Sequence, residues 1–144
     1  MKGKIKSNTV DKYLRPVRRQ IVELVEPNST VVEYGCGNGD LLFQLAPKIE
    51  HGHGLDYSKS LIDYAMSHRE LGEVKNLDFT EVNLVSNPNP VSKANCGIAS
   101  LLFHVLPYET ASKVFNQMVQ QFDRIIVVAF SRPLNWKQRT LLWM

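Results

Sequence analysis

Apolar positions along this chain recur at two periods, and the two alternate. Leu14, Val17, Ile21, Leu24 and Val25 fall at helical spacing. Pro16 suits a first helical turn, so the pattern predicts a short turn near 9–14 and a helix from about 16 to 26. Pro27-Asn28-Ser29 stops it, and Thr30 to Tyr34 follows as a short apolar, β-branched strand. A glycine-rich turn leads into a helix from about Asp40 to Ala46, ended by Pro47. The next strand is about Gly52 to Leu55, closing on Asp56. Ser58 then caps a helix that carries Leu61, Ile62, Ala65 and Met66 on one face and ends near Leu71-Gly72. Leu77 to Val82 is a third strand with Asn83 at its end. Val85 to Ala94, which holds Asn87-Pro88-Asn89-Pro90, reads as a loop with room for one short turn. A fourth strand covers Gly97 to Phe103. Pro107-Tyr108-Glu109 opens a helix whose inner face is Ala111, Val114, Phe115, Met118 and Phe122. Arg124 to Phe130 is so apolar that it reads as a strand covered on both faces. After the loop Ser131-Arg132-Pro133, Asn135 caps a last helix through Trp136, Leu141, Leu142 and Trp143. Residues 1–8 lack periodicity and read as a flexible tail.

Strand and helix alternate throughout. Parallel strands need crossover connections, so this alternation predicts an α/β, doubly wound parallel sheet with helices on both faces. In such sheets ligands bind beyond the carboxyl ends of the strands. At 144 residues, with 44% hydrophobic residues, the chain reads as one domain over 1–144 with one real core. No apolar run approaches the roughly 20 residues of a membrane span. The basic start Met1-Lys2-Gly3-Lys4-Ile5-Lys6 has no apolar segment behind it, so it does not read as a secretory signal, and the expected location is cytoplasmic. A net charge of +3 is too small to argue for nucleic acid. The clusters Lys2/Lys4/Lys6 and Lys12/Arg15/Arg18/Arg19 read as a solvated tail and a solvated helix face. Cys36 and Cys96 fall at opposite ends of the predicted sheet, which argues against a disulfide, and their spacing is not that of a zinc site.

The richest strand end is the first, Glu33-Tyr34-Gly35-Cys36-Gly37-Asn38-Gly39-Asp40. Glycines let a backbone turn sharply and approach a ligand closely, and a helix starting just beyond them directs N–H groups at the same place. A dinucleotide fold calls for G-x-G-x-x-G, whereas this chain has G-x-G-x-G, with Asp40 where the third glycine would be. Glu33 and Asp40 put two carboxylates around the turn, which repel phosphates and favour a cationic ligand. Asp56, 21 residues after Gly35, can take both hydroxyls of a ribose. A nucleoside with a positively charged, zwitterionic tail matches these features better than NAD.

These residues, with Gly54-Leu55-Asp56-Tyr57-Ser58 downstream, resemble the class I S-adenosylmethionine-dependent methyltransferases. The resemblance continues through Asn83-Leu84, through the fourth strand with its trailing Leu102-Phe103-His104-Val105-Leu106-Pro107, and through Ile125 to Ala129. It implies a Rossmann-like sheet of order 3-2-1-4-5 and S-adenosyl-L-methionine as cofactor. It implies that Gly35, Cys36, Gly37 and Gly39 lie against the methionine part and that Glu33 acts near its amino group. It further implies that Asp56 binds the ribose and Tyr57 packs on the adenine. Asn83 and Leu84 edge the adenine, and Ser100 to His104 line the far wall. The family's sheet normally has seven strands, and the last two are lacking here. That departure suggests a piece of a longer chain, or a subunit whose fifth-strand edge is covered by an oligomeric or other partner.

The resemblance implies a methyltransferase acting on a small molecule, with a protein or nucleic acid acceptor second. Its rival is a non-catalytic S-adenosylmethionine-binding fragment or partner subunit. His104 stands where a general base could reach an acceptor, though a histidine tying loop to helix is the plainer reading. His51 and His53 read as polar residues at a strand entry, so no metal is expected. Tyr13 and Arg15 could cover a cofactor but equally suit surface packing. Trp136 and Trp143 read as core or interface aromatics. Asn87-Pro88-Asn89-Pro90 precedes the fourth strand, so it is not the N-P-P-Y motif of amino-group methyltransferases, which follows that strand.

Overall fold

The computed structural model describes residues 14–88, 90–91 and 94–130. The expected tail at 1–8, the turn before residue 14, Tyr13, the Ser131-Arg132-Pro133 loop and the last helix with Asn135, Trp136 and Trp143 lie outside these residues. Residues 14–24 are helical (α1). Then come β1 (Thr30–Tyr34), α2 (Asp40–Leu45), β2 (His51–Asp56), α3 (Lys59–Leu71), β3 (Leu77–Glu81), β4 (Ala94–Ser100), a 3-10 turn (Phe103–Val105), α4 (Tyr108–Gln121) and β5 (Phe122–Val128). The five strands form one sheet in the order β3-β2-β1-β4-β5, as expected, and every pairing is parallel.

The sheet has a core on each face. On one side Ile21 of α1 and Val25 just after it, Leu41, Leu42 and Leu45 of α2, and Ile62 and Ala65 of α3 pack on Val31, Leu77 and Ile98. On the other, Val114 and Met118 of α4 pack on Val32, Tyr34, Ala99 and Phe122. Each such fully buried aliphatic side chain contributes roughly 1.5–3 kcal/mol. β1 sits at the centre with Val31 to Tyr34 all buried, which places its carboxyl end at the topological switch point between β2 and β4.

Three elements differ from the sequence pattern. β4 begins at Ala94 and ends at Ser100, not Phe103. Leu101 adopts φ +55°, a left-handed conformation costly for leucine, and its N–H donates to Val128 O at 2.8 Å. The apolar run continues in sequence, but the chain turns there and lays Leu102 against Gly35, where a Cβ would stand 3.0 Å from Leu102 Cδ1. β5 starts at Phe122, so that residue packs from the sheet and not from α4. Among the described residues β5 is an edge strand, and nothing among them fully covers Val127. On α4, Thr110 is buried where Phe115 was expected, and Phe115 is 41% exposed.

Ser58 occupies the N-cap position of α3, yet its hydroxyl pairs with Ser60 Oγ at 3.1 Å and makes no cap bond to the helix backbone. Cys36 and Cys96 are both buried and free. His51 stands 3.2 Å from Asp78 and His53 bonds Thr80 at 2.8 Å, polar contacts along the β2–β3 ladder. No group of three potential metal ligands exists among the described residues.

Candidate functional site

The turn after β1 is fixed by one carbonyl. The N–H groups of Gly35 and Cys36 both donate to Leu55 O, at 2.7 and 2.9 Å, which pins the turn to the end of β2. Gly35, Gly37 and Gly39 all take positive φ, of 73°, 56° and 82°. Their surroundings differ. A Cβ on Gly39 would stand 2.7 Å from the Phe79 ring, whereas a Cβ on Gly37 would meet nothing among the described residues within 4 Å. Gly39 therefore lets α2 close on the core, and Gly37 leaves open space. The Cys36 side chain turns inward, packing over Gly54 beside Phe79, so its thiol belongs to the core. Burial pushes that thiol above its usual range.

Asp56 ties the two strand ends together. Its Oδ2 accepts from Gly37 N and its Oδ1 from Ser58 N, both at 2.8 Å. Each carboxylate oxygen has capacity for a second donor, so these bonds orient the group without exhausting it.

Two cavities meet at Gly35. The larger, of about 470 Å³, is lined by Asp56, Tyr57, Asn83, Leu84, Val85 and Leu102, among others. The smaller, of about 180 Å³, is lined by Glu33, Gly37, Asn38, Asp40, Ser100 and Arg18, among others. Asn83 spends its side-chain oxygen on Val85 N at 3.0 Å, shaping the turn that carries Leu84 into the wall. Tyr57 is 72% exposed at the rim.

Glu33 is the unusual group. It is buried, and its Oε2 has no hydrogen-bond partner among the described residues. Burial pushes its pKa up to about 8. The Arg18 charge works against that rise, and Asp56 and Asp40 add to it. A buried acceptor left open inside a cavity costs free energy that a cationic or hydrogen-bonding ligand can recover.

The structure thus brings together Glu33, Gly35, Gly37, Asp56, Tyr57, Asn83, Leu84 and Ser100 around the two cavities. Gly39 and the Cys36 thiol serve the turn and the core. His104 lines neither cavity: its exposed ring packs edge-on against Phe130, with centroids 5.0 Å apart. The sequence reading overlooked Arg18 as a site residue, having placed it on a solvated face. The available signal was its position four residues after Leu14, on a stripe adjoining the apolar face of α1.

A family model described as a methyltransferase domain matches residues 25–121, two-thirds of the chain. The chain belongs to this family. More specifically, it is a member of the class I S-adenosylmethionine-dependent methyltransferases, with their parallel sheet order. No curated protein sequence matches it. Among solved structures, the YcgJ protein of Bacillus subtilis is similar at 16% identity and a TM-score of 0.66, over 87% of this chain and 55% of that one. Phosphoethanolamine N-methyltransferase 1 of Haemonchus contortus, solved with phosphoethanolamine and S-adenosylhomocysteine, is similar at 17% identity and a TM-score of 0.67. That match covers 81% of this chain and 26% of the other. Precorrin 8w decarboxylase of Methanobacterium thermoautotrophicum is similar at 17% identity and a TM-score of 0.65, over 88% and 67%. At these identities the likeness is one of fold. The chain spans about half the length of the first of these structures and a quarter of the second.

Proposed function

We propose that this chain binds S-adenosyl-L-methionine across the glycine turn and presents its methyl group to a small-molecule acceptor. The observation that carries the reading is the junction of the two cavities at Gly35, with open space at Gly37 and an orphan carboxylate oxygen on Glu33. The adenosine part suits the larger cavity. There Asp56, already aimed by Gly37 and Ser58, faces the ribose hydroxyls, while Tyr57, Asn83 and Leu84 border the adenine. The methionine part suits the smaller cavity, between Glu33, Gly37 and Ser100. Cys36 contributes backbone alone. The cofactor supplies a methyl group on a positively charged sulfur that is its own leaving group. The chain's work is to hold the acceptor in line and to keep water out of the apolar wall made by Leu84 and Leu102. Support for a small acceptor comes from relatives of the same fold, one of them solved with phosphoethanolamine. No helix among the described residues is long and apolar enough to cross a membrane. Two free, buried cysteines suit a reducing compartment, so we infer a cytoplasmic protein.

Calorimetry with S-adenosylmethionine, S-adenosylhomocysteine and NAD tests the cofactor. Saturable binding of the adenosyl compounds is expected, weakened roughly 10- to 100-fold in Asp56→Asn, which loses a charged acceptor. Binding of NAD and of neither adenosyl compound would sink the proposal. A second reading, cofactor binding without transfer, is favoured by the placement of His104, the one candidate base, outside both cavities. A panel of small acceptors with labelled cofactor separates the two: binding with no transfer to any acceptor supports the second.

A further inference from the structure

The chain reverses the order of its side chains where β4 ends. Along a strand, successive residues face opposite sides of the sheet. Cys96 and Ile98 of β4 lie in the core on the side of α1, α2 and α3, and Ala99 lies in the core on the side of α4. Continued straight, β4 would put Leu102 with Ile98 and Leu101 with Ala99. The opposite is found. Leu102 is buried in the α4-side core, whereas Leu101 lines the smaller cavity beside Leu14 and Val17 of α1. The cause is one left-handed residue, Leu101 at φ +55°, whose N–H is held by Val128 O at 2.8 Å. A leucine in that region is strained, and such strain persists where the surroundings over-determine it, often at ligand clamps. Its effect is to set one leucine against each cavity, with Leu102 at the point where the two meet. Apart from the glycine's chain neighbours, the three atoms nearest to a Cβ built on Gly35 all belong to the Leu102 side chain, at 3.0, 3.6 and 3.7 Å. Both sides of this contact are fixed: Leu102 is 9% exposed, and Gly35 N donates to Leu55 O at 2.7 Å.

We propose that Leu102, aimed by the left-handed turn at Leu101, is a specificity-determining residue that limits the alkyl group on the ligand atom lying over Gly35, so that a nucleoside sulfonium bearing methyl is accepted over one bearing ethyl. This rests on the reading that S-adenosylmethionine spans the two cavities, which puts its sulfur where they join. The nucleoside, the amino-acid tail and the sulfonium charge are the same in both ligands. The carboxylates of the site therefore cannot tell them apart, and the discrimination falls to the side chain at the junction. A close-packed contact between a core residue and a pinned turn cannot widen without moving one of them. In a fixed apolar pocket one methylene changes affinity about 10- to 200-fold.

The test measures affinity of the whole chain for S-adenosylmethionine and for its S-ethyl analogue, S-adenosylethionine. Wild type is expected to prefer the methyl compound roughly 10- to 100-fold. Leu102→Ala, which removes the wall, should bring this ratio to within about threefold of one. Leu101→Val leaves Leu102 intact, but a β-branched residue resists the left-handed region, so much of the preference should be lost. Leu101→Gly adopts that region freely and should retain more of the preference than Leu101→Val. The ratio is taken on one preparation, so a partly unfolded variant does not distort it. A wild-type ratio near one, or a ratio unchanged in Leu102→Ala, would overturn the proposal. A higher ratio in Leu101→Val than in Leu101→Gly would overturn the part assigned to the turn. S-adenosylhomocysteine, which has no alkyl group to exclude, separates the proposal from the reading beneath it. If wild type binds neither it nor S-adenosylmethionine, the reading of the turn as the cofactor's seat fails first; if it binds S-adenosylhomocysteine and shows a ratio near one, that reading stands and this proposal alone fails.

Discussion

Replacing Gly37 and Gly39 by alanine, one at a time, should separate the part of the glycine turn that holds the fold from the part that holds the ligand. Both residues have positive φ, 56° and 82°, so either alanine meets the left-handed penalty of roughly 1–2 kcal/mol. Gly39→Ala also drives a methyl to 2.7 Å from the Phe79 ring and 3.1 Å from Phe43. Phe79 is 6% exposed and lies in the core beneath α2, so it cannot move into solvent. Overpacking of this kind costs about 1–3 kcal/mol more, giving roughly 2–5 kcal/mol in all for Gly39→Ala. Gly37→Ala adds its methyl where no atom of the described residues lies within 4 Å, so about 1–2 kcal/mol is its whole cost in the free protein. Its expense comes on binding, because the methyl occupies the wall of the smaller cavity; affinity for S-adenosylhomocysteine should fall at least about tenfold. Urea denaturation gives the first quantity and calorimetry the second. Equal destabilisation by the two alanines, or a Gly37→Ala protein that binds like wild type, would refute the division of labour within the turn.

Glu33 makes stability depend on pH with a definite sign. Its pKa rises from 4.5 in the unfolded chain to about 8 in the fold, so the native state holds a proton that the unfolded state releases. Stability therefore falls as pH rises between those values, by a few kcal/mol at order of magnitude. Glu33→Gln should flatten that slope in denaturation at pH 5.5 and 8, and a slope unchanged by the substitution would show that Glu33 is not its source. Glu73, just past the end of α3, has φ +52°, and the next residue's N–H closes on Arg69 O at 3.0 Å; the chain thus places glutamate where a helix terminator favours glycine. Glu73→Gly should stabilise the exposed C-terminus of α3 by about 0.5–1 kcal/mol in thermal or urea unfolding, and a loss of stability would contradict this account of the helix end.

How much of this molecule is legible in its sequence depends on whether a feature is set locally or by a distant neighbour. The parallel sheet belongs to the first kind, since alternating periods force crossover connections, whereas the order of its strands was legible only through the resemblance to the methyltransferases. Asp56 was also legible, because a carboxylate ending the second strand has a fixed distance to the turn it serves. The end of β4 was not. Leu101-Leu102-Phe103 continues an apolar run, and nothing local to it signals a left-handed leucine. The bond from Leu101 to Val128 and the contact of Leu102 with Gly35 turn the chain, and both partners are remote in sequence. The place of β5 at the sheet edge agrees with the resemblance, whereas its apolar composition alone reads as burial on both faces. Arg18 shows the same limit in the site itself. A cation on an amphipathic helix reads as solvated unless the neighbouring element is known, and here that element is the end of β1 with a buried glutamate. Arg18 lowers the pKa of Glu33 against the larger rise that burial imposes. The motif that sequence identifies thus depends on a residue that sequence reading discards. A chain that kept every glycine and Asp56 but lost Arg18 would still read as a family member, while its Glu33 would hold a proton to still higher pH.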